Sequence, residues 1–228
     1  MDGARMSTRL VTAILAKNEA APDRYLERVI HRCFEFSDAV LLVDDGSTDA
    51  TRDIASAAGC SVVPRTDAGF WGKSEAPARR DLWERAAEIA DDGWILVADA
   101  DMLLHGDPRP LLTSWDVTAW AFPLVDLWDS EETFRVDGPW GYGPRSPRPW
   151  LFRPSALTEP AIWSDRPIHV GHAPTNFPGP VGVAPDLHWR HLGWAKRSHR
   201  LQKHAQYASV AHQLGPFEQA HANSILDD

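Results

Sequence analysis

The first hundred residues alternate short apolar runs with amphipathic stripes, and this alternation constrains the fold more than any other feature of the chain. Leu10–Ala16 is almost continuously apolar, as a strand buried on both faces should be. Residues 23–36 carry Leu26, Val29, Ile30, Cys33 and Phe34 at spacings of three and four, which predicts a helix. A second strand is expected over 39–43. Turn chemistry at Gly46-Ser47-Thr48-Asp49 then supplies a hydroxyl N-cap for a helix over 51–58 that Gly59 ends. A short strand over 61–64, a long helix over 74–90 and a strand over 94–98 complete the order βαβαβαβ. That order predicts an α/β fold, a mostly parallel sheet flanked by helices. Both acid clusters, Asp44-Asp45 and Asp99-Ala100-Asp101, then fall at carboxyl ends of strands, where open α/β sheets bind ligands.

Beyond residue 105 the pattern loosens. A strand is expected over 117–122, and residues 126–149, rich in Pro, Gly, Trp and charge, read as a long loop. A lid loop is therefore expected at about 124–150. Residues 168–170 and 187–192 are further candidate strands, and 195–214 a terminal helix. No internal repeat or heptad pattern occurs, so 1–228 is expected to form one domain with a loop-rich C-terminal region.

Composition narrows the functional classes. Against 23 Lys and Arg stand 32 Asp and Glu, a formal charge of −9, which argues against a protein whose main affinity comes from neutralising phosphates. No apolar run approaches the roughly 18 residues of a membrane span. Lys17, Asn18 and Glu19 follow the first apolar run where a signal peptide would place small residues, so a cytoplasmic protein is expected. Two cysteines allow no disulfide framework and no Cys-based zinc site. The 11 tryptophans supply large core side chains and also flat faces on which sugars or bases stack.

In an extended segment residues i and i+2 share a face, so Asp99 and Asp101 are expected to converge on one hard divalent cation. Asp45 is well placed to accept hydrogen bonds from a base edge or a ribose hydroxyl. His191, in a short apolar strand before Gly193 and a basic helix, completes a two-carboxylate, one-imidazole set suited to Mn²⁺ or Mg²⁺. His31, His105, His212 and His221 read as ordinary core or surface residues.

Four blocks in this order, Ala13-Ile14-Leu15-Ala16-Lys17-Asn18-Glu19, Leu42-Val43-Asp44-Asp45-Gly46-Ser47-Thr48-Asp49, Trp94-Ile95-Leu96-Val97-Ala98-Asp99-Ala100-Asp101 and His191-Leu192-Gly193-Trp194, resemble glycosyltransferases of the GT-A fold, family 2 type. The resemblance covers about 8–105 well and about 150–207 more loosely. It implies a Rossmann-like nucleotide-sugar half over 8–105 and an acceptor half over 106–228. It also implies a nucleoside pocket at Ala16, Asn18 and Glu19, base reading by Asp45, and a catalytic Asp-X-Asp of Asp99 and Asp101. Asp99 would reach the ribose or metal, and Asp101 and His191 would bind the metal. Gly72-Lys73-Ser74-Glu75-Ala76 is similar to the donor-holding stretch of glucosyl-3-phosphoglycerate synthases, which implies a donor contact for Lys73. Arg79 and Arg80 would neutralise the diphosphate.

The implied reaction is metal-dependent transfer of a sugar from a nucleotide diphosphate, a UDP-sugar first among them, to an acceptor hydroxyl. No block marks the general base. Asp126, Asp129, Glu131, Glu132, Asp137 and Asp165 are eligible, and Asp165 is taken as the base candidate. Trp128, Trp140, Tyr142, Trp150 and Trp163 are candidates for an aromatic acceptor wall. A dehydrogenase, a P-loop enzyme and a serine hydrolase each lack their glycine or serine signature, and a nucleotidyltransferase lacks its basic loop after strand one. Two alternatives remain. One is a phage-type enzyme glycosylating a modified DNA base through a track of Arg145, Arg148, Arg153, Arg190, Lys196, Arg197, Arg200 and Lys203. The other is a non-catalytic nucleotide-sugar-binding module.

Overall fold

The computed structural model describes residues 8–71, 73–114, 116–166 and 169–227. The chain runs β1 (Leu10–Ala16), α1 (Leu26–Phe34), β2 (Ala39–Asp44), α2 (Thr51–Ala57), β3 (Ser61–Pro64), α3 (Ala76–Ala90), β4 (Trp94–Asp99), β5 (Met102–His105), β6 (Ala119–Phe122) and β7 (Leu124–Asp126). It continues through α4 (Tyr142–Arg145), β8 (Arg148–Phe152), β9 (Val181–Val183), β10 (His188–His191), α5 (Arg197–Ser209) and α6 (Pro216–Asn223). The βαβαβαβ reading of the first hundred residues matches element by element.

Seven strands form one sheet in the order β3-β2-β1-β4-β8-β6-β9. The β1–β4 strands are mutually parallel, β8 runs antiparallel to β4 and β6, and β9 is parallel to β6. The architecture is thus a mostly parallel α/β sheet flanked by helices, as expected from the sequence. The interior strand β1 is buried at every residue, and its side chains alternate between two cores as the period of two requires. Leu10, Ile14 and Ala16 join α1 and the second sheet on one face. Val11, Ala13 and Leu15 join α3 on the other. On α1 the stripe of Leu26, Val29, Ile30 and Cys33 is buried, whereas Phe34, one residue and about 100° further round, is exposed.

A three-stranded sheet, β5-β10-β7, packs beside the first. In it β10 lies antiparallel to β5 and parallel to β7, with His191 opposite both Met102 and Asp126. This register brings the C-terminal His block next to the Asp-X-Asp turn.

Several boundaries differ from expectation. The 124–150 segment is not one irregular loop: it contributes β7, α4 and the start of β8, because its apolar side chains Leu124, Leu127, Trp140 and Trp150 are buried. His169 and Val170 form no strand, and Ile168 lies outside the described residues. The terminal helix stops at Ser209, and a further helix, α6, follows. Most tryptophans fill the core, among them Trp83, Trp94, Trp163 and Trp189. Among the described residues no helix is long and apolar enough to cross a membrane.

Candidate active site

The parallel register sets Leu15 beside Asp99 and Ala16 beside Asp44, so the β1, β2 and β4 ends open together into one cavity of about 950 Å³. Ala16, Asn18, Glu19, Asp45, Asp99, Asp101 and His191 all line it.

The first wall is built by polar clips. Ser47 Oγ accepts the Asn18 amide at 2.8 Å, Thr51 Oγ1 that of Glu19 at 2.7 Å, and Asp49 that of Ala20 at 3.0 Å. Asn18, held at φ 56°, accepts the Thr48 amide at 2.9 Å. The Ser47–Asp49 run, expected to cap α2, does two things: Asp49 accepts the amide of Thr51, the first residue of α2, at 3.0 Å, and the run ties down the loop after β1, while Ala50 at the N-cap has no side-chain cap of its own. Asp45 is buried and accepts the amides of Gly69 at 3.0 Å and Phe70 at 3.1 Å, and it pairs with Arg65. Its carboxylate therefore shapes the loop that brings Phe70 and Trp71 to the cavity. Gly46, at φ 80°, permits this turn: a Cβ there would come to 2.7 Å from that of Ala68.

Two acidic clusters form the floor, and they are separate. The strand ends at Asp99 and Asp101 lies in the turn that follows, so the i, i+2 convergence expected of an extended segment does not arise. Asp99 receives Arg79 at 2.9 Å and stands 3.5 Å from His172 Nε2. Burial opposes its charge, but Arg79 and His172 outweigh burial and hold it well below the usual carboxylate range. Arg79 also binds Glu75 at 2.7 Å, and Glu75 accepts the Val170 amide at 3.1 Å.

Asp101 belongs to a different group. Its Oδ2 lies 3.4 Å from His191 Nε2 and accepts Lys203 Nζ at 2.9 Å. His191 Nδ1 stands 2.7 Å from Asp126 Oδ1 and accepts the Trp194 indole N–H at 3.0 Å, so Nε2 is the nitrogen that faces the cavity. Burial works against its charged form, yet Asp101 and the hydrogen bond to Asp126 push the ring up to about 9. Gly193 is required here, because a Cβ would overlap Asp101 Oδ2 and Lys203 Nζ and approach His191 Nε2 to 3.0 Å. Glu19, at the cavity edge, is pushed up to about 7 by burial and by the charge of Asp101.

Among the described residues, no three His, Cys, Asp or Glu side chains converge into a metal group by themselves. The Asp101–His191 pair nevertheless fits a divalent cation that takes its remaining ligands from a bound phosphate. One carboxylate and one imidazole face the same glycine-lined space, and the imidazole's other nitrogen is held by a carboxylate.

Other expected residues are not brought to the site. Lys73 and Arg80 are exposed and do not line the cavity, and Gly72 lies outside the described residues. The buried face of α3 carries Arg79 instead, four residues after Glu75, and its charge is taken up by Glu75 and Asp99. Asp165 is exposed and does not line the cavity. Of the acids weighed beside it only Asp126 does so; Asp129, Glu131 and Asp137 pair with Arg200, Arg28 and Arg135. Trp140, Tyr142 and Trp150 form part of the wall, whereas Trp163 packs on Trp83 behind the sheet and Trp128 lies beneath Trp140. No continuous basic track exists among the described residues: Arg153 and Arg200 are buried and Lys203 turns inward to Asp101. His172 carried no sequence signal, and Glu75 and Lys203, though inside a quoted stretch and a basic track, were not singled out there for the contacts they make.

The family model for glycosyl transferase family 2 matches residues 12–115. An uncharacterized protein of Mycobacterium tuberculosis is 28% identical over 184 residues, which are 75% of this chain and 44% of that protein. An uncharacterized glycosyltransferase of Rickettsia bellii is 34% identical over 96 residues, 42% of this chain and 29% of that one. The chain thus spans less than half the length of the curated relatives it matches. A solved structure of M. tuberculosis glucosyl-3-phosphoglycerate synthase, in complex with Mn²⁺, UDP and glucosyl-3-phosphoglycerate, aligns with TM-score 0.43 and 18% identity over 68% of this chain and 60% of that one. The matched segment, residues 12–115, is the one that carries Asn18, Asp45, Asp99 and Asp101, so its similarity is to glycosyl transferase family 2.

Proposed function

We propose that this chain transfers a sugar from a nucleoside diphosphate sugar to an acceptor hydroxyl, with Mn²⁺ or Mg²⁺ held by Asp101 and His191. The observation that supports it is the meeting of these two side chains in a cavity at the carboxyl ends of parallel strands, within and beside the family 2 segment. When bound, such a cation neutralises the negative charge that develops on the departing diphosphate. Asp126 and the Trp194 indole hold the Nδ1 edge of His191 and so present Nε2 to the site. Arg79 fixes the rotamer of Asp99, which is left to orient the donor's ribose or phosphates. Asn18, Glu19 and the wall built by Asp45 receive the nucleoside, so that 8–105 acts as the donor half. Residues 106–228 act as the acceptor half, with Trp140, Tyr142 and Trp150 offering flat apolar faces to an acceptor.

The test is thermal unfolding with UDP, GDP, TDP and CMP, with and without Mn²⁺, followed by turnover of the sugar-linked form of any that binds. UDP is the first choice. Ligand at a hundred times its Kd stabilises by about 2.7 kcal/mol, roughly 5–10 °C for a chain of this size. The expected result is a shift with one nucleotide that needs Mn²⁺ and is lost in Asp101→Asn. A panel with no shift, or a shift indifferent to both Mn²⁺ and the substitution, would refute the reading.

A further inference from the structure

The position between Asp101 and His191 is held by a cation of the chain itself. Lys203, on α5, places Nζ 2.9 Å from Asp101 Oδ2 and 3.5 Å from His191 Nε2, the two atoms assigned above to the metal. The ammonium also lies 4.4 Å from the centroid of the Trp194 ring, so its approach is fixed from a third side. Gly193 is the floor under all three groups. The lysine is not a free arm on a mobile surface. Its helix is tied across the cavity by Gln202 to Arg24 at 2.6 Å, by the Gln206 carbonyl to Trp71 at 3.2 Å and by His199 to Asp23 at 2.9 Å.

A divalent ion bonded to Asp101 Oδ2 and His191 Nε2 would stand in the space this ammonium fills, and two cations so close repel strongly in a partly buried site. The lysine stem, four carbons long and flexible, allows the head to leave without moving the helix. Glu19 on the cavity edge lies within its electrostatic reach, and a diphosphate bound in the cavity would offer it a negative partner when it leaves.

We propose that Lys203 is a resident counter-cation that competes with the divalent metal for Asp101 and His191, so that metal binds weakly to the free protein and tightly once a diphosphate draws the ammonium away. This rests on the metal reading above and adds to it an order of events: nucleotide and metal enter together. It also gives the ammonium a second position, against the diphosphate, where it contributes positive charge beside the metal.

The test measures Mn²⁺ binding directly, by the free-ion electron paramagnetic resonance signal and by calorimetry, in the wild type and in Lys203→Met, without nucleotide and with UDP. Methionine keeps the apolar stem over Trp194, and Lys203→Gln serves as a second variant should it fold poorly. In the absence of nucleotide, Lys203→Met is expected to bind Mn²⁺ at least about tenfold more tightly than the wild type, the lost competitor being one charge-assisted contact. UDP is expected to tighten Mn²⁺ binding in the wild type by more than it does in the variant. Equal Mn²⁺ affinity in the two proteins would overturn the competition while leaving the metal site standing. Absence of Mn²⁺ binding from both, with and without UDP, would remove the metal reading and the competition with it.

Discussion

Replacing Arg79 with methionine probes the arrangement on which the Asp99 side of the cavity rests. Arg79 and Glu75 are each about 7% exposed at their side chains, and Asp99 about 30%. The guanidinium holds Glu75 at 2.7 Å and Asp99 at 2.9 Å. Methionine fills nearly the same volume on α3 but leaves Glu75 with the Val170 amide alone and Asp99 with His172 at 3.5 Å. Breaking a buried ion pair from one side costs about 3–5 kcal/mol; the partial exposure of Asp99 and the amide left on Glu75 put this case near 3. For a chain of this length that is about 6–12 °C in Tm. The urea midpoint should fall with an unchanged slope.

The pH dependence carries a definite sign. In the wild type the Asp99 pKa is depressed, so its contribution is present above the unfolded value near 3.9 and is lost as pH falls through the lower folded value. In the variant Asp99, half-buried, loses the cation that holds its pKa down, and protonation relieves part of the cost. The deficit should therefore be largest at pH 8 and shrink toward pH 5, and adding Glu75→Gln should recover part of it. A deficit below about 1 kcal/mol, or one that does not shrink on acidification, would refute the reasoning, since an exposed pair behaves that way.

Two further expectations are simpler. Gly193→Ala, at a residue whose φ is ordinary, should lower stability by about 1–2 kcal/mol through overpacking against Asp101 and His191; differential scanning calorimetry showing no loss would mean that the cluster is looser than described. Glu19, pushed up to about 7, binds its proton more tightly folded than unfolded, so the wild type should lose stability as pH rises from about 4.5 to 7. Glu19→Gln should flatten that decline and be more stable at pH 8 by up to about 3 kcal/mol, and denaturation curves of parallel slope in the two proteins would contradict the assignment.

The parts of this molecule legible in its sequence are those governed by period. The β1 strand could be read because it is buried on both faces, and α1 because its apolar spacing matches one face of a helix. Asp45, Asp99 and Asp101 could be placed because strand ends in a parallel sheet share one edge. The identity of the neighbours could not, since it depends on register between distant segments. Arg79 rather than Arg80 faces the cavity through the helical phase set by Glu75, one residue in a helix whose apolar moment is carried mainly by alanines. Lys203 meets Asp101 across 102 residues, and His172 meets Asp99 across 73. Such contacts follow from the packing of α5 and of an irregular segment, where no periodic pattern fixes the direction of a side chain. The 124–150 segment hides its elements for a related reason: its Pro and Gly content masks short strands that are defined by pairing with β10, β4 and β6.

The pairing of β10 with β5 has a consequence for assembly in time. The strand that delivers His191 lies between β5 and β7 and more than eighty residues downstream of β5, while β1, β2, β3 and β4 are neighbours built from the first hundred residues. During synthesis the parallel sheet can be laid down, with Asp45 and Asp99 already at its edge, while β5 still presents an open edge awaiting its partner. The imidazole and the ammonium arrive last, on consecutive elements, and closing so long a separation is the slow, entropically costly step. The nascent chain therefore shapes the cleft at the β1, β2 and β4 ends before it acquires the groups that surround Asp101, and that cluster is complete only when the final strand and α5 are in place.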